Sequence, residues 1–168
     1  SKRFILVAAV LAMTLTIGLT GASAADYPKR PISLICPWGA GGGTDAVSRI
    51  IATLLKKELG VPVNVVNRTG GSGAVGHTAM ATAKPDGYTI GMPTVEITMM
   101  HWMGLTEVTY KDMTPIAMVN FDPAGINVLT TSPWKTYKDL ENHVRENQGK
   151  LTDSGTGQGG IWPLAMAG

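Results

Sequence analysis

Three glycine-rich runs are the residues whose type and spacing could do chemistry in this sequence. They are Gly39–Gly43, Thr69–Gly73 and Gly155–Gly160. Glycine lets backbone amides approach a ligand closely, and a helix that begins directly after such a run adds a field that favours an anion. The three runs together predict a small anionic ligand held largely by backbone N–H groups. One run alone would be weak evidence, since glycine-rich turns are also common helix ends.

Alternating strands and helices are expected to position these runs. The predicted elements are a strand at 32–36, a helix at 45–59, a strand at 63–66, a helix at 74–83 and a strand at 88–92. Thr44 is the expected N-cap of the first helix, and Gly60 is expected to end it. This βαβαβ order predicts an α/β fold with a parallel sheet. Ligands of such sheets bind beyond the carboxyl ends of the strands, where the glycine runs lie.

The pattern is looser beyond Pro93. The sequence predicts strands at 110–120 and 125–130, a helix at 136–146 and a short strand at 151–154. Thr136 and Asp139 have the spacing of a capping box. The chain ends soon after the third glycine run, in what resembles the start of another helix, so we expect a fragment of a longer fold.

The first 24 residues are typical of a secretory signal. Lys2 and Arg3 precede an apolar run of about 16 residues, and Ala22-Ser23-Ala24 is the small-residue pattern before a cleavage site. The run is shorter than the ~20 residues that span a bilayer. We therefore expect cleavage between Ala24 and Ala25 and a periplasmic location.

Export also changes the charge balance. The sequence has 14 basic and 12 acidic residues, and Lys2 and Arg3 are two of the basic ones. The remaining chain has a formal charge of zero. It lacks the positive excess that binding to phosphates requires, so no nucleic-acid partner is expected.

A dinucleotide-binding enzyme is the main competing hypothesis. Gly39–Thr44 begins like the G-x-G-x-x-G motif but has Thr44 in place of the third glycine. The second strand ends at Asn67, where that motif's partner is acidic, although Arg68 could face a 2′-phosphate. No glycine run continues into G-K-[ST], which excludes a P-loop. An exported NADP-type oxidoreductase is therefore the alternative function.

Apart from the glycine runs, the sequence has few side chains at the spacings typical of catalytic or metal sites. The histidines His77, His101 and His143 are isolated, and the single Cys36 lies in a predicted core strand. A soft-metal carrier is a third hypothesis, for which core packing is the simpler account. It would use Met92, Met99, Met100, His101 and Met103.

Several segments resemble one family, the tripartite tricarboxylate transporter substrate-binding proteins, also called the Bug receptors. The similarity extends over essentially all of residues 26–160, and the order of the segments makes it specific. The segments are Tyr27–Ile32, Pro37–Asp45, Asn67–Gly76, Pro85–Thr89, Tyr110–Ala117 and Ser154–Gly160.

The resemblance implies an extracytoplasmic receptor of the type II periplasmic-binding-protein fold, with two α/β lobes around a cleft. Such receptors hold small carboxylates, including di- and tricarboxylates, between a loop of each lobe and deliver them to membrane transporter subunits. The resemblance implies no catalysis and no cofactor, and a monomer is expected. The implied ligand-binding residues are Trp38, Ala40, Gly41, Gly42, Thr44, Asp45 and Thr94 in the first lobe and Ser154, Thr156, Gly157 and Gln158 in the second.

The resemblance also divides the chain. Residues 1–24 are the expected signal peptide, 25–124 the first lobe, and 125–168 an incomplete start of the second lobe. Family members are about twice this length, as two lobes require, so we expect weak binding at most. Pro163 stands near a position where many relatives have histidine. Two side chains have more than one possible role. Asp45 could stabilise the helix start or contact the ligand. Glu96 could repel a polyanionic ligand, pair with a ligand amine or be solvated.

Overall fold

A parallel three-stranded sheet is the centre of the structure. The computed structural model describes residues 27–123, 125–152, 155, 160 and 161. The strands are β1 (Ile32–Cys36), β2 (Val63–Asn67) and β3 (Thr89–Gly91), in the spatial order β2-β1-β3. Leu34 is in register with Val65 on one side and Ile90 on the other. The predicted parallel sheet is confirmed.

Two helices connect the strands, α1 (Gly43–Leu59) and α2 (Ala74–Ala81). The N-cap of α1 is Gly42, which is extended with φ −78° and ψ 171°. The prediction of Thr44 as N-cap is therefore wrong: the chain turns helical two residues before that side chain could cap it. Gly60 ends the helix in the left-handed conformation, as predicted, with φ 71°.

The buried residues form two groups, one around β1 and one that includes residues of the segment after β3. Ile32, Leu34 and Cys36 are buried because β1 has a strand on each side and helices against it. The predicted burial of Cys36 is confirmed. A second cluster joins Ala74, Ile97 and Met100, and Met100 is completely buried there. Its position supports core packing over a soft-metal role for this methionine.

Helix α2 approaches the end of β1 very closely at Gly76. A Cβ atom at this position would lie 2.5 Å from the Cα of Pro37 and 2.6 Å from the carbonyl oxygen of Arg68. Only glycine leaves room for these two backbone segments. The contact fixes α2 against the residues that follow β1 and β2.

The chain beyond β3 is less regular than predicted. It contains 3₁₀ turns at Val95–Thr98 and Tyr110–Asp112 and the helix α3 (Tyr137–Glu146). The capping box of α3 is confirmed, with the Asp139 amide donating to Thr136 Oγ1 at 3.2 Å and the Thr136 amide donating to Asp139 Oδ2 at 2.8 Å.

The strands predicted at 110–120 and 125–130 are wrong. None of these residues is in a strand, and Ile116 and Met118 are 86% and 84% exposed. A strand needs a neighbour for its hydrogen bonds and a core for its apolar face, and the described residues supply neither here. Leu151 and Thr152 also lie outside any strand; the rest of the predicted strand at 151–154 and the predicted signal at 1–24 fall outside the described residues.

Candidate functional site

Three loops meet at the carboxyl edge of the sheet. Loop A (Pro37–Gly42) follows β1, loop B (Arg68–Gly73) follows β2, and loop C (Met92–Thr94) follows β3. They share one edge because the strands are parallel. The predicted ligand residues of the first lobe all lie here. Trp38, Ala40, Gly41 and Gly42 are in loop A, Thr44 and Asp45 are in the first turn of α1, and Thr94 is in loop C.

Asp45 holds loop A in place. Its Oδ2 accepts the Gly41 amide at 2.9 Å, and Arg49 donates to both carboxylate oxygens at 2.9 and 3.0 Å. The hydrogen bonds from Arg49 lower the pKa of Asp45 most, followed by those from Gly41 and Asn67. The carboxylate is only 3% exposed. Asp45 is thus an ionised anchor of the loop, and its side chain is occupied by protein donors.

Asn67 ties the same loop to the end of β2. Its Nδ2 donates at 2.9 Å to both the Trp38 carbonyl and Asp45 Oδ1. Sequence reasoning considered Asn67 as a non-acidic residue at a cofactor position and as the start of a family-like segment, and it missed this role. The signal available in the sequence was a polar residue at the last position of an otherwise apolar strand.

Two backbone amides at the start of α1, those of Gly43 and Thr44, have no side-chain acceptor among the described residues, whereas the Gly42 amide donates to the Gly39 carbonyl at 3.3 Å. Gly42 caps the helix without any side-chain hydrogen bond, and the residues of the run 39–43 are all exposed. Within the described part of the chain, no side chain accepts from the amides of Gly43 or Thr44. A 17-residue helix also concentrates positive potential at this end. The arrangement can bind an anion through backbone N–H groups.

A chain of hydrogen bonds joins loop A to loop C. The Trp38 indole Nε1 donates to Thr94 Oγ1 at 3.1 Å, and Thr94 Oγ1 donates to Glu96 Oε2 at 2.5 Å. Glu96 is 3% exposed, so of the roles left open for it a solvated carboxylate is wrong. Its Oε1 accepts the Ile161 amide at 3.4 Å, just after the third glycine run.

Loop B has an unusual backbone and lies against loop A. Its last four residues, Gly70, Gly71, Ser72 and Gly73, have φ of 126°, 54°, 51° and 93°. A Cβ at Gly73 would lie 3.3 Å from Trp38 Cζ2 and 3.2 Å from His77 Nδ1. The missing side chain therefore leaves room for both the indole and the imidazole next to Gly73. His77, which stands isolated in the sequence, belongs to this cluster.

The predicted second half of the site lies outside the described residues. Ser154, Thr156, Gly157 and Gln158 belong to it, as does Pro163. Their roles stay predictions, and so do the ligand contacts of the first-lobe residues.

The described ranges contain neither a membrane-spanning helix nor a cluster of metal ligands. No helix there is long and apolar enough to cross a bilayer. No group of three or more His, Cys, Asp or Glu side chains is arranged there to hold a metal ion.

Known proteins similar to this chain come from one family. A family model described as the tripartite tricarboxylate transporter family receptor matches residues 47–167. Protein BugT of Bordetella pertussis is 37% identical over 123 residues, which are 70% of this chain and 37% of that protein. A UPF0065 protein of Cupriavidus necator is 34% identical over 161 residues, 90% of this chain and 48% of that protein. The crystal structure of a TctC solute binding protein from Polaromonas is 40% identical with a TM-score of 0.55, covering 71% of this chain and 42% of that one.

The chain belongs to the tripartite tricarboxylate transporter receptor family. The family resemblance seen in the sequence is confirmed, as is the α/β fold of the periplasmic-binding-protein type. The chain spans about half the length of the curated relatives it matches.

Proposed function

We propose that this chain is part of a periplasmic solute receptor that binds a small organic carboxylate and delivers it to membrane subunits of a tripartite tricarboxylate-type transporter. The observation that carries the proposal is the start of α1, where backbone amides without a side-chain cap follow a loop that Asp45, Arg49 and Asn67 hold in place. The receptor performs no catalysis on its ligand.

The proposed site combines two lobes. Loop A and Thr94 supply the first-lobe side, and Ser154, Thr156, Gly157 and Gln158 supply the second. Residues 1–24 are the proposed signal peptide, 25–124 the first lobe and 125–168 the start of the second. Asp45 contributes by fixing the Gly41 amide, because its own oxygens already accept four hydrogen bonds.

The oxidoreductase alternative finds less support at the end of β2. A ribose hydroxyl would need an acidic acceptor there. Asn67 instead uses its amide nitrogen on the Trp38 carbonyl and on Asp45. The carboxylate proposal needs no such acceptor.

The test is a nuclear magnetic resonance titration of the ¹⁵N-labelled chain, since it detects millimolar affinities. Succinate and citrate are the probes, and succinamide is the uncharged control of matched shape. We expect amide shifts at loop A and the first turn of α1 with the two carboxylates only. Shifts there with NADP⁺, and none with either carboxylate, would contradict the proposal.

A matched pair of variants isolates one amide. Gly43 is the first residue of α1, a position that accepts proline, and the extended Gly42 before it suits a following proline. Gly43→Pro removes a single N–H, whereas Gly43→Ala keeps it. Loss of a hydrogen bond to a charged group costs about 1.5–3 kcal/mol, so we expect affinity to fall roughly 10- to 100-fold in the proline variant only. Equal affinity of the two variants would place the carboxylate elsewhere.

A further inference from the structure

The imidazole of His77 connects loop B with loop C. It is completely buried, and its two nitrogens both face backbone groups. Nδ1 lies 2.8 Å from the Gly73 carbonyl oxygen at the end of loop B. Nε2 lies 3.0 Å from the Thr94 amide nitrogen in loop C.

These two partners determine the tautomer and the protonation state of the His77 ring. An amide N–H can only donate, so Nε2 must be unprotonated to accept from Thr94. A carbonyl oxygen can only accept, so Nδ1 must carry a proton for Gly73. The neutral Nδ1–H tautomer satisfies both contacts, whereas an imidazolium would turn a second N–H toward the Thr94 amide.

Thr94 transmits this constraint to the proposed ligand site. Its amide is held by His77, while its hydroxyl accepts from the Trp38 indole and donates to Glu96. Holding the amide therefore orients the hydroxyl, and the hydroxyl orients the indole beside loop A.

We propose that His77 is a positioning residue of the proposed carboxylate site, which in its neutral Nδ1–H form fixes Thr94 and Trp38 and on protonation releases them. The part concerning ligand affinity rests on the proposed function. The part concerning Thr94 and Trp38 does not, because it concerns contacts within the ligand-free chain.

The surroundings favour the neutral ring. Burial lowers the pKa of His77, and the Gly73 carbonyl and the charge of Glu96 oppose that shift. Glu96, on the 3₁₀ turn after loop C, is the acidic residue whose charge acts on the ring within the described ranges. Helix α2 has no other titratable residue, β3 has none, and β1 contributes only the buried Cys36 thiol.

The first test needs no ligand and no variant. The ring ¹⁵N shifts of the uniformly ¹⁵N-labelled chain distinguish the two neutral tautomers, and the same sample reports on the Thr94 amide and the Trp38 indole. We expect protonated Nδ1 and unprotonated Nε2 at pH 7.5, and common midpoints below pH 6.5 for the ring, the Thr94 amide and the Trp38 indole. Finding the Nε2–H tautomer would overturn the proposal. So would a Trp38 indole shift that does not change as His77 titrates.

Two substitutions then separate the contacts. His77→Gln can still reach and accept from the Thr94 amide, whereas His77→Asn is long enough only for the Gly73 carbonyl. We expect hydrogen exchange of the Thr94 amide to accelerate at least tenfold in His77→Asn and to change little in His77→Gln. His143→Gln, on α3, is the control and should leave this amide unchanged. Equal exchange in the Asn and Gln variants would overturn the proposal, and so would a change in the control.

The ligand arm uses succinate. We expect its dissociation constant to rise at least tenfold in His77→Asn and to stay within about threefold in His77→Gln. It should rise with acidity more steeply in the parent than in His77→Gln, because protonation of succinate itself weakens binding equally in both. If succinate fails to bind the parent, the proposed function fails, while the tautomer and exchange results still decide the role of His77.

Discussion

The close approach at Gly76 gives the sharpest test of the packing between α2 and the loops. We expect Gly76→Ala to lower the free energy of unfolding by about 2 kcal/mol. The substitution adds one methyl group and removes no hydrogen bond, so its effect combines the steric cost with a gain in helix propensity.

The magnitude follows from the distances. The added Cβ would lie 2.5 Å from the Cα of Pro37 and 2.6 Å from the Arg68 oxygen. Non-bonded carbon atoms are ordinarily about 3.5–4.0 Å apart, so α2 must retreat by roughly 1 Å. Overpacking costs about 1–3 kcal/mol, and the upper value applies because both neighbours are backbone atoms that cannot rotate away. Alanine has a higher helix propensity than glycine, which offsets ~1 kcal/mol of this steric cost.

The assay is urea unfolding followed by circular dichroism, with a thermal melt in which the Tm should fall by about 8 °C. Gly43→Ala is the matched control, because a Cβ at Gly43 meets nothing within 4 Å. That variant should be as stable as the parent or up to ~1 kcal/mol more stable. If Gly76→Ala behaved like Gly43→Ala, the packing argument would be refuted.

Three further substitutions test the anchor, the buried ring and the helix cap. Asn67→Ala should cost about 1–3 kcal/mol in urea unfolding because it removes the amide that donates to both the Trp38 carbonyl and Asp45. A loss below ~0.5 kcal/mol would contradict the anchoring role. Between pH 7.5 and 5 the free energy of unfolding should fall by up to ~1.4 kcal/mol per pH unit, because the unfolded chain protonates His77 near pH 6.5 and the folded chain only at lower pH. His77→Gln should flatten this slope, and an unchanged slope would locate the titration elsewhere. Thr136→Ala should destabilise α3 by about 1 kcal/mol, seen as a loss of helical circular dichroism signal. Thr130→Ala is the control and should have no effect. Equal signals in the two variants would mean that the capping box does not stabilise α3.

The sequence was sufficient to predict the order β1-α1-β2-α2-β3, because the apolar runs and the glycines between them are local signals. It failed at 110–130, where an apolar segment looks like a strand whether or not another strand lies beside it. Thr44 was misplaced as N-cap because Gly42, two residues earlier, already has the extended conformation that a cap requires.

Individual roles within the site were harder to predict than its location. Loop A could be located because glycine runs after strands indicate a ligand edge. Asn67 and His77 were missed because their partners lie far along the chain: Asn67 binds the Trp38 carbonyl 29 residues away, and His77 binds the Thr94 amide 17 residues away. Contacts of this kind depend on how the strands pair, which no local pattern records.

The left-handed stretch from Gly70 to Gly73 has a consequence for how this gene can vary. A single nucleotide change converts a glycine codon into one for Ala, Val, Ser, Cys, Arg, Asp, Glu or Trp, and of these only Asp enters the left-handed region with any ease. Asparagine needs two changes. Nearly every point mutation in these glycine codons therefore strains the loop. The glycines of this loop should thus persist among related genes, as should Gly76, where an added Cβ would meet Pro37 and Arg68.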